Sequence, residues 1–503
     1  MKPRFPQFSD RQRYRFFEMV PGLLVWGTFA FTIFATLTWP TKAIVFALVL
    51  DIYWFVRICY LMIFVLAAYR RYRRTLAIDW RARVEAHPKG SQLWHVIFVP
   101  TVNESETVLR ETFQALVVAS YAPERTLVVL ATEARSSLQS TGVYQRLKDE
   151  FSHTFAGLIV TIHPAGRPGE VAGKGANIAW AGHQVKTWID EHGLRYPDVI
   201  VTTIDADSII HPDYLAYLAC VYADHPRPTR TSYQPIPLFH NNIWEALPWM
   251  RVVAYSTTFW LMGDTQRPDR LFTFSSHSMP FQALVDVDFW QTDVVSEDSR
   301  IFLQCLIRYD GDYEVTPLYL PVSMDAIHAP TWLESMKNQY KQIRRWAYGA
   351  ENFPFMVWNF LADRAMPLGK KLRYIYYQLE GMYSWAVAPI LIMLLGWLPF
   401  QVDPSRLEGS FIAQNAPLAL RWIMIAAMVG AIVSAILTLL MLPKRPVQSR
   451  ISGWVTMILQ WLFLPVTMLI FGSIPAIESQ SRLLLGRYLG FWVTDKHRQA
   501  EKA

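Results

Sequence analysis

Two apolar runs stand back to back near the start of this chain: VPGLLVWGTFAFTIFATLTW (20–39) and AIVFALVLDIYWFVRICYLMIFVLAA (43–68). Each is long enough to cross the hydrocarbon core of a bilayer as a helix. Lipid admits backbone only as a helix or a closed barrel, so the pair, parted by Pro-Thr-Lys, predicts a membrane hairpin. Further spans are predicted at 378–398 and 418–441. A last apolar stretch, 453–475, is interrupted by Pro465. The first run is too long, and too closely followed by the second, for a cleavable signal. The net charge of +7 collects beside these runs, in YRRYRR (69–74) and PKRPVQSR (443–450). Basic flanks stay on the cytosolic side, so the charge reads as membrane orientation and not as a nucleic-acid surface. It puts the middle of the chain in the cytosol and makes 453–475 a re-entrant or interfacial element. Asp51 and Arg57 lie inside the second span. They fit a packing pair or a polar pathway equally well. Cys59, Cys220 and Cys305 are scattered and show neither a disulfide nor a zinc spacing.

Between about 91 and 345 the texture is that of a soluble α/β domain. Strand-like runs recur at 95–100 (HVIFVP), 126–132 (TLVVLAT), 157–163 (GLIVTIH) and 199–205 (VIVTTID), with helix-like stretches at 105–120 and 174–193. This alternation predicts a mostly parallel sheet covered by helices. Ligands of such sheets bind outside the carboxyl ends of the strands.

Those ends are chemically rich. The first gives Thr101, Asn103 and Glu104; the second gives Glu133. A Gly-rich loop after the third leads to Lys174 and Asn177, and the fourth runs into Asp205-Ala206-Asp207. Two carboxylates at i and i+2 suit a hard cation such as Mg²⁺ or Mn²⁺, which takes one or two carboxylates plus substrate phosphates. They also suit an ordinary turn. Ser296-Glu297-Asp298 fits a helix N-cap with acids in the first turn, or a catalytic acid pair. Gln342-Ile343-Arg344-Arg345-Trp346 fits an interfacial helix, although Q-x-x-R-W is a specific pattern.

Taken in order, PTVNE (100–104), KGAN (174–177), DAD (205–207), SED (296–298), QIRRW (342–346) and FWVTDK (491–496) resemble the motifs of membrane-embedded family 2 glycosyltransferases, the group of cellulose, hyaluronan and chitin synthases and ceramide glucosyltransferase. The resemblance implies an α/β nucleotide-sugar-binding domain, GT-A-like, inserted between transmembrane helices of an integral membrane protein. It divides the chain into a basic N-terminus with two spans (1–90), a cytosolic transferase domain (91–333) and interfacial helices (334–372). C-terminal membrane and re-entrant helices (373–480) and a gating-loop-like tail (481–503) follow. The setting implied is the inner (plasma) membrane.

By the same resemblance, Thr101, Asn103, Glu104 and Glu133 contact the nucleoside, where the family more often ends its second strand in two Asp. Lys174, Asn177, Asp205, Gln342 and Arg345 hold the nucleotide sugar, and Asp205 and Asp207 hold Mg²⁺ or Mn²⁺. Glu297 and Asp298 are catalytic, with Asp298 the general base. Trp346, His277 and Gln234 meet the acceptor, with Asn242 a further hydrogen-bonding candidate. Thr494 and Lys496 close over the donor. Ser276 and His277 stand where relatives carry a Gly-containing acceptor loop. The implied activity is inverting, metal-dependent transfer from a UDP-linked sugar to a growing polysaccharide, with export through the membrane. The alternative is single transfer to a lipid acceptor. An accessory subunit or a homo-oligomer would help complete a channel. A transporter with an inert α/β domain is the reading from another class, and the complete acid set opposes it.

Overall fold

The computed structural model describes residues 10–136, 138–402, 407, 409–444 and 452–490. Its centre is an eight-stranded sheet of order β3-β2-β1-β4-β7-β6-β8-β5. The half read from sequence is parallel: β1 (Trp94–Pro100), β2 (Thr126–Glu133), β3 (Gly157–His163) and β4 (Val199–Thr203). The β-branched runs of β1, β2 and β4 bury both faces, as a helix-covered parallel sheet requires, whereas the edge strand β3 leaves Ile162 exposed. The other half is mixed. The short β7 (Ser278–Pro280) runs antiparallel to both β4 and β6 (Thr231–Phe239), β8 (Glu314–Met324) is parallel to β6, and β5 (Ile209–Ile210) closes the edge. One apolar core fills each face. The result is a GT-A-like α/β domain set among apolar helices.

Around it, four helical stretches among the described residues are long and apolar enough to cross a membrane: Arg11–Thr38, Pro40–Leu76, Phe411–Met441 and Gly453–Leu484. Trp39 alone separates the first two, because Pro40 starts the next helix where a missing N–H costs nothing. Leu368–Met393, which covers most of the expected 378–398 span, is absent from that set. Gln378, Glu380 and Ser384 dilute its apolar run. It nevertheless traverses the bundle. Lys370 bonds the Gly311 carbonyl at one end, and just beyond the other Gly396 lies against Ala47.

Pro465 does not break 453–475 as expected. A 3₁₀ turn (Gln460–Phe463) precedes it, so Pro465 falls in the first positions of a new helical turn. Met468–Ser473 then winds as π-helix ahead of Pro475. Changing the winding absorbs the lost donors without stopping the rod. The rod starts with Trp454 against Trp244 and ends with Glu478 bonded to Arg344. One end therefore meets the segment after β6 and the other the QIRRW helix.

Inside the bundle, Arg57 pairs with Glu380 and Tyr53, and its guanidinium faces Trp54 and Trp260. It is a packing partner, and its acid is Glu380. Gly22 lets the first helix touch the last: a Cβ there would lie 2.7 Å from Leu484 Cβ and 2.8 Å from the Gln480 carbonyl. Gly22→Leu is expected to force the two helices apart at a cost of about 1–3 kcal/mol. Thermal unfolding of the detergent-solubilised protein should show a lower Tm, and an unchanged Tm would contradict this contact.

Candidate active site

The site begins where β4 stops. Thr203 N–H still reaches the His277 carbonyl (3.0 Å) and Ile204 N–H the Phe98 carbonyl (3.0 Å), after which Ser208 N–H turns back onto Asp205 O (2.9 Å). This turn sends the two acids to different partners. Asp205 Oδ1 accepts from Lys174 Nζ at 2.9 Å, and its Oδ2 accepts from Ser275 Oγ at 2.7 Å. Asp207 Oδ2 accepts the Asp325 N–H at 2.9 Å, so it also ties the end of β8 to the turn.

Lys174 opens its helix (Lys174–Glu191) directly after the Gly-rich loop. Its Nζ lies 3.0 and 3.1 Å from the two oxygens of Asp298 as well. One ammonium thus joins the DAD turn, 31 residues after it, to the SED turn, 124 residues after it. Burial disfavours that charge, but Asp205, Asp298 and Glu297 outweigh it and hold the Lys174 pKa above its ordinary value. Glu297 is 3% exposed. Burial first, then the neighbouring Asp298 charge, pushes its carboxyl up, while Lys174 and Arg345 pull the other way. Asp298 is the more accessible of the pair, with 19% of its side chain exposed.

His277 sits beside Asp298, with Nδ1 3.8 Å from Asp298 Oδ1 and 3.1 Å from the Phe274 carbonyl. Burial lowers its pKa to about 4, so the ring is neutral at physiological pH. The facing carbonyl assigns the proton to Nδ1. Nε2 has no hydrogen-bond partner among the described residues. The preceding Ser276 has φ +65°, a conformation that glycine adopts without strain. This is the stretch where relatives are expected to carry glycine.

The nucleoside candidates fold into their own loops. Glu104 Oε2 accepts from Thr101 Oγ1 (2.6 Å), Val102 N–H (2.7 Å) and Asn103 N–H (3.2 Å), and Asn103 itself is exposed. Glu133 is buried and paired with Arg135 through both oxygens, at 2.6 and 3.1 Å. Register sets Pro100 beside Ala131, which brings these two loops together.

Three of the expected residues bond to nearby backbone. Asn177 is 1% exposed and donates to the Ala131 carbonyl (2.8 Å), bracing the Lys174 helix against β2, while its Oδ1 has no hydrogen-bond partner among the described residues. Gln234 is fully buried. Its Nε2 donates to Pro235 O and its Oε1 accepts Phe274 N–H, so it braces the 273–278 loop and does not face an acceptor. Asn242 is likewise spent on the backbone of Ala326. In each case, adjacent backbone amides claim the side chain as the loop packs on the sheet. Ser296 occupies the N-cap position but makes no side-chain cap bond; its hydroxyl donates to Glu351.

The QIRRW helix (Trp332–Ala347) starts with a capping box of Thr331 and Glu334. Gln342 and Trp346 line a small, partly open pocket with Phe239, Val253, Asp325 and Gln339. The Trp346 and Phe239 ring centroids are 5.7 Å apart. Arg345 lies close enough for its charge to act on Glu297. Thr494, Lys496 and the whole FWVTDK segment lie outside the described residues. Sequence reasoning missed Ser275, Asp325 and Glu351. The clue to Glu351 was an acid at the edge of the apolar NFPFMVW run, five positions after Trp346.

Gly175 allows the Lys174 helix to approach the acid pair. A Cβ there would sit 3.0 Å from Glu297 Cβ and 3.1 Å from the Gln291 carbonyl. Gly175→Ala should cost about 1–3 kcal/mol of stability and lower turnover by shifting Lys174 against Asp298. Thermal unfolding and nucleotide-release rates measure the two effects, and wild-type values in both would argue against this close approach.

A family model described as glycosyl transferase family group 2 matches residues 200–492, more than half of the 503-residue chain. No curated protein matches the chain. Among solved structures it is similar to the mannosyltransferase PcManGT from Pyrobaculum calidifontis in complex with GDP-Man and Mn²⁺ (15% identity, 81% of this chain and 99% of that chain covered, TM-score 0.40). It is also similar to S. aureus TarS 1-349 in complex with UDP-GlcNAc (13%, 75% and 91%, 0.38). A third likeness is to glucosyl-3-phosphoglycerate synthase from Mycobacterium tuberculosis in complex with Mn²⁺, UDP and phosphoglyceric acid (12%, 57% and 83%, 0.32). The matched span contains the DAD, SED and QIRRW motifs whose geometry is described above, and the chain belongs to glycosyl transferase family group 2.

Proposed function

We propose that this glycosyltransferase moves a sugar, with inversion, from a UDP-linked donor onto a growing polysaccharide at the cytosolic face of the inner membrane. The observation that carries the reading is the Asp205–Lys174–Asp298 bridge. It sets an anion-binding cation and a base carboxylate within one side chain's reach of each other.

The donor diphosphate would lie over the Asp205 turn. Among the described residues no three His, Cys, Asp or Glu side chains cluster to hold an ion alone. Asp205 and Asp207 nevertheless supply the hard oxygen donors that Mg²⁺ or Mn²⁺ needs beside substrate phosphates. When bound there, the ion would neutralise charge on the departing diphosphate. Lys174 and Arg345 supply further positive charge for the same leaving group. The diphosphate also offers the ammonium new oxygens, which releases Asp298 from its ion pair.

Asp298 then takes the proton of the acceptor hydroxyl, whose oxygen attacks the anomeric carbon on the face opposite the diphosphate. Glu297, biased toward its neutral form, limits repulsion beside that base. Trp346 offers its ring as a platform for a sugar face. A second reading is single transfer to a lipid acceptor. It is favoured by the apolar residues Val253, Ala254 and Ile327 that share the pocket with Trp346. Product length separates the two. A ladder on a gel is expected for the polysaccharide reading, whereas one glycolipid spot would replace it with the second.

Asp298→Asn should leave donor affinity nearly intact and reduce turnover by about 10²–10⁴-fold. Nucleotide release from labelled donor, with donor binding measured separately, checks this. Transfer at the wild-type rate would end the assignment of Asp298 as the base.

A further inference from the structure

The SED turn and the QIRRW helix lie far apart in sequence, and one side chain fastens them together. Glu351 lies in the short turn (Tyr348–Glu351) that directly follows the QIRRW helix. Its Oε1 accepts from Val295 N–H (3.0 Å), Ser296 N–H (2.9 Å) and Ser296 Oγ (2.7 Å). Two successive backbone N–H groups and a hydroxyl form a small anion nest around the carboxylate. Ser296 would ordinarily cap its own helix; here its hydroxyl is turned over to Glu351.

The fastening is reciprocal. One turn into the helix Glu297–Arg308, Arg300 is 2% exposed and reaches back across the same seam. Its Nη2 donates to the Glu351 carbonyl (3.0 Å) and its Nε to Asn352 Oδ1 (2.7 Å). Asn352 Nδ2 donates in turn to Ser299 Oγ (2.8 Å), and the guanidinium stacks on Phe355 at 4.1 Å. Asp298 lies between these attachment points, two residues from Ser296 and two from Arg300.

We propose that Glu351 is a positioning residue for the transfer reaction, holding the backbone that presents Asp298 in register with the helix that carries Gln342, Arg345 and Trp346. The proposal rests on the reading of Asp298 as the base. The Asp205 turn and the β1 and β2 loops do not touch Glu351 through any of these bonds, so the donor contacts they make are left in place. Displacing a catalytic group by about 1 Å can cost on the order of 10²-fold in rate.

The test uses the full chain in detergent and reads nucleotide release at varied donor, with thermal unfolding alongside. Glu351→Leu removes the acceptor oxygen and should lower kcat on the order of 10²-fold while donor KM stays within about twofold. Glu351→Gln keeps an oxygen for the same three donors and should retain kcat within about threefold of wild type. Wild-type kcat in Glu351→Leu overturns the proposal. So does a Gln variant as impaired as the Leu variant, because the acceptor geometry would then not be what matters. If Glu351→Leu does not fold, Ser296→Ala removes one of the three bonds and must lower kcat at constant donor KM; unchanged kcat there overturns the proposal equally. Asp298→Asn in the same assay separates the failures. An active Asp298→Asn protein removes the base and this proposal together. An inactive one, paired with a fully active Glu351→Leu protein, removes this proposal alone.

Discussion

The arrangement depends on a single ammonium held between two carboxylates that come from distant parts of the chain. Lys174 bonds Asp205 and Asp298 at 2.9 to 3.1 Å with only 9% of its side chain exposed. A charge placed so deep is costly unless it is paired, and two carboxylates at once overpay the desolvation. The three groups hold each other in place, and in the proposed mechanism each serves a different part of one reaction: leaving-group charge, diphosphate site and proton acceptor.

The surrounding fold serves that triad by bracing it. Asn177 pins the Lys174 helix to β2, Gln234 pins the 273–278 loop, and Asp207 draws in the end of β8. These residues look like binding residues in a sequence because polar side chains near strand ends suit either role. Gln234 is fully buried with both polar atoms on backbone groups, so it has little left for a ligand.

The membrane-facing part is joined to the chemistry by the same means. Tyr340 and Arg344, on the face of the QIRRW helix away from the pocket, bond Glu478 in the C-terminal rod. Arg15, at the start of the first apolar helix, bonds the carbonyls of Leu483 and Leu484 that end the same rod. Lateral packing in the bundle therefore reaches the helix that carries Arg345 and Trp346 through a few polar contacts.

The apolar runs, the four β-branched strands and the acids at their ends were all legible in the sequence. Their physics is local: a run length, a residue type and the residue that follows. The mixed half of the sheet was not. β7 has three residues, and the pairing of β6 with β8 joins segments whose spacing carries no periodic signal. Likewise, Lys174 read as a phosphate ligand, and Asp51 and Arg57 fitted a packing pair or a polar pathway equally well. Only the tertiary structure placed Lys174 between two acids, gave Arg57 to Glu380 and set Glu351 under the SED turn. Which charges neutralise one another across long separations is decided by where helices dock and what their packing buries, and no local pattern records that.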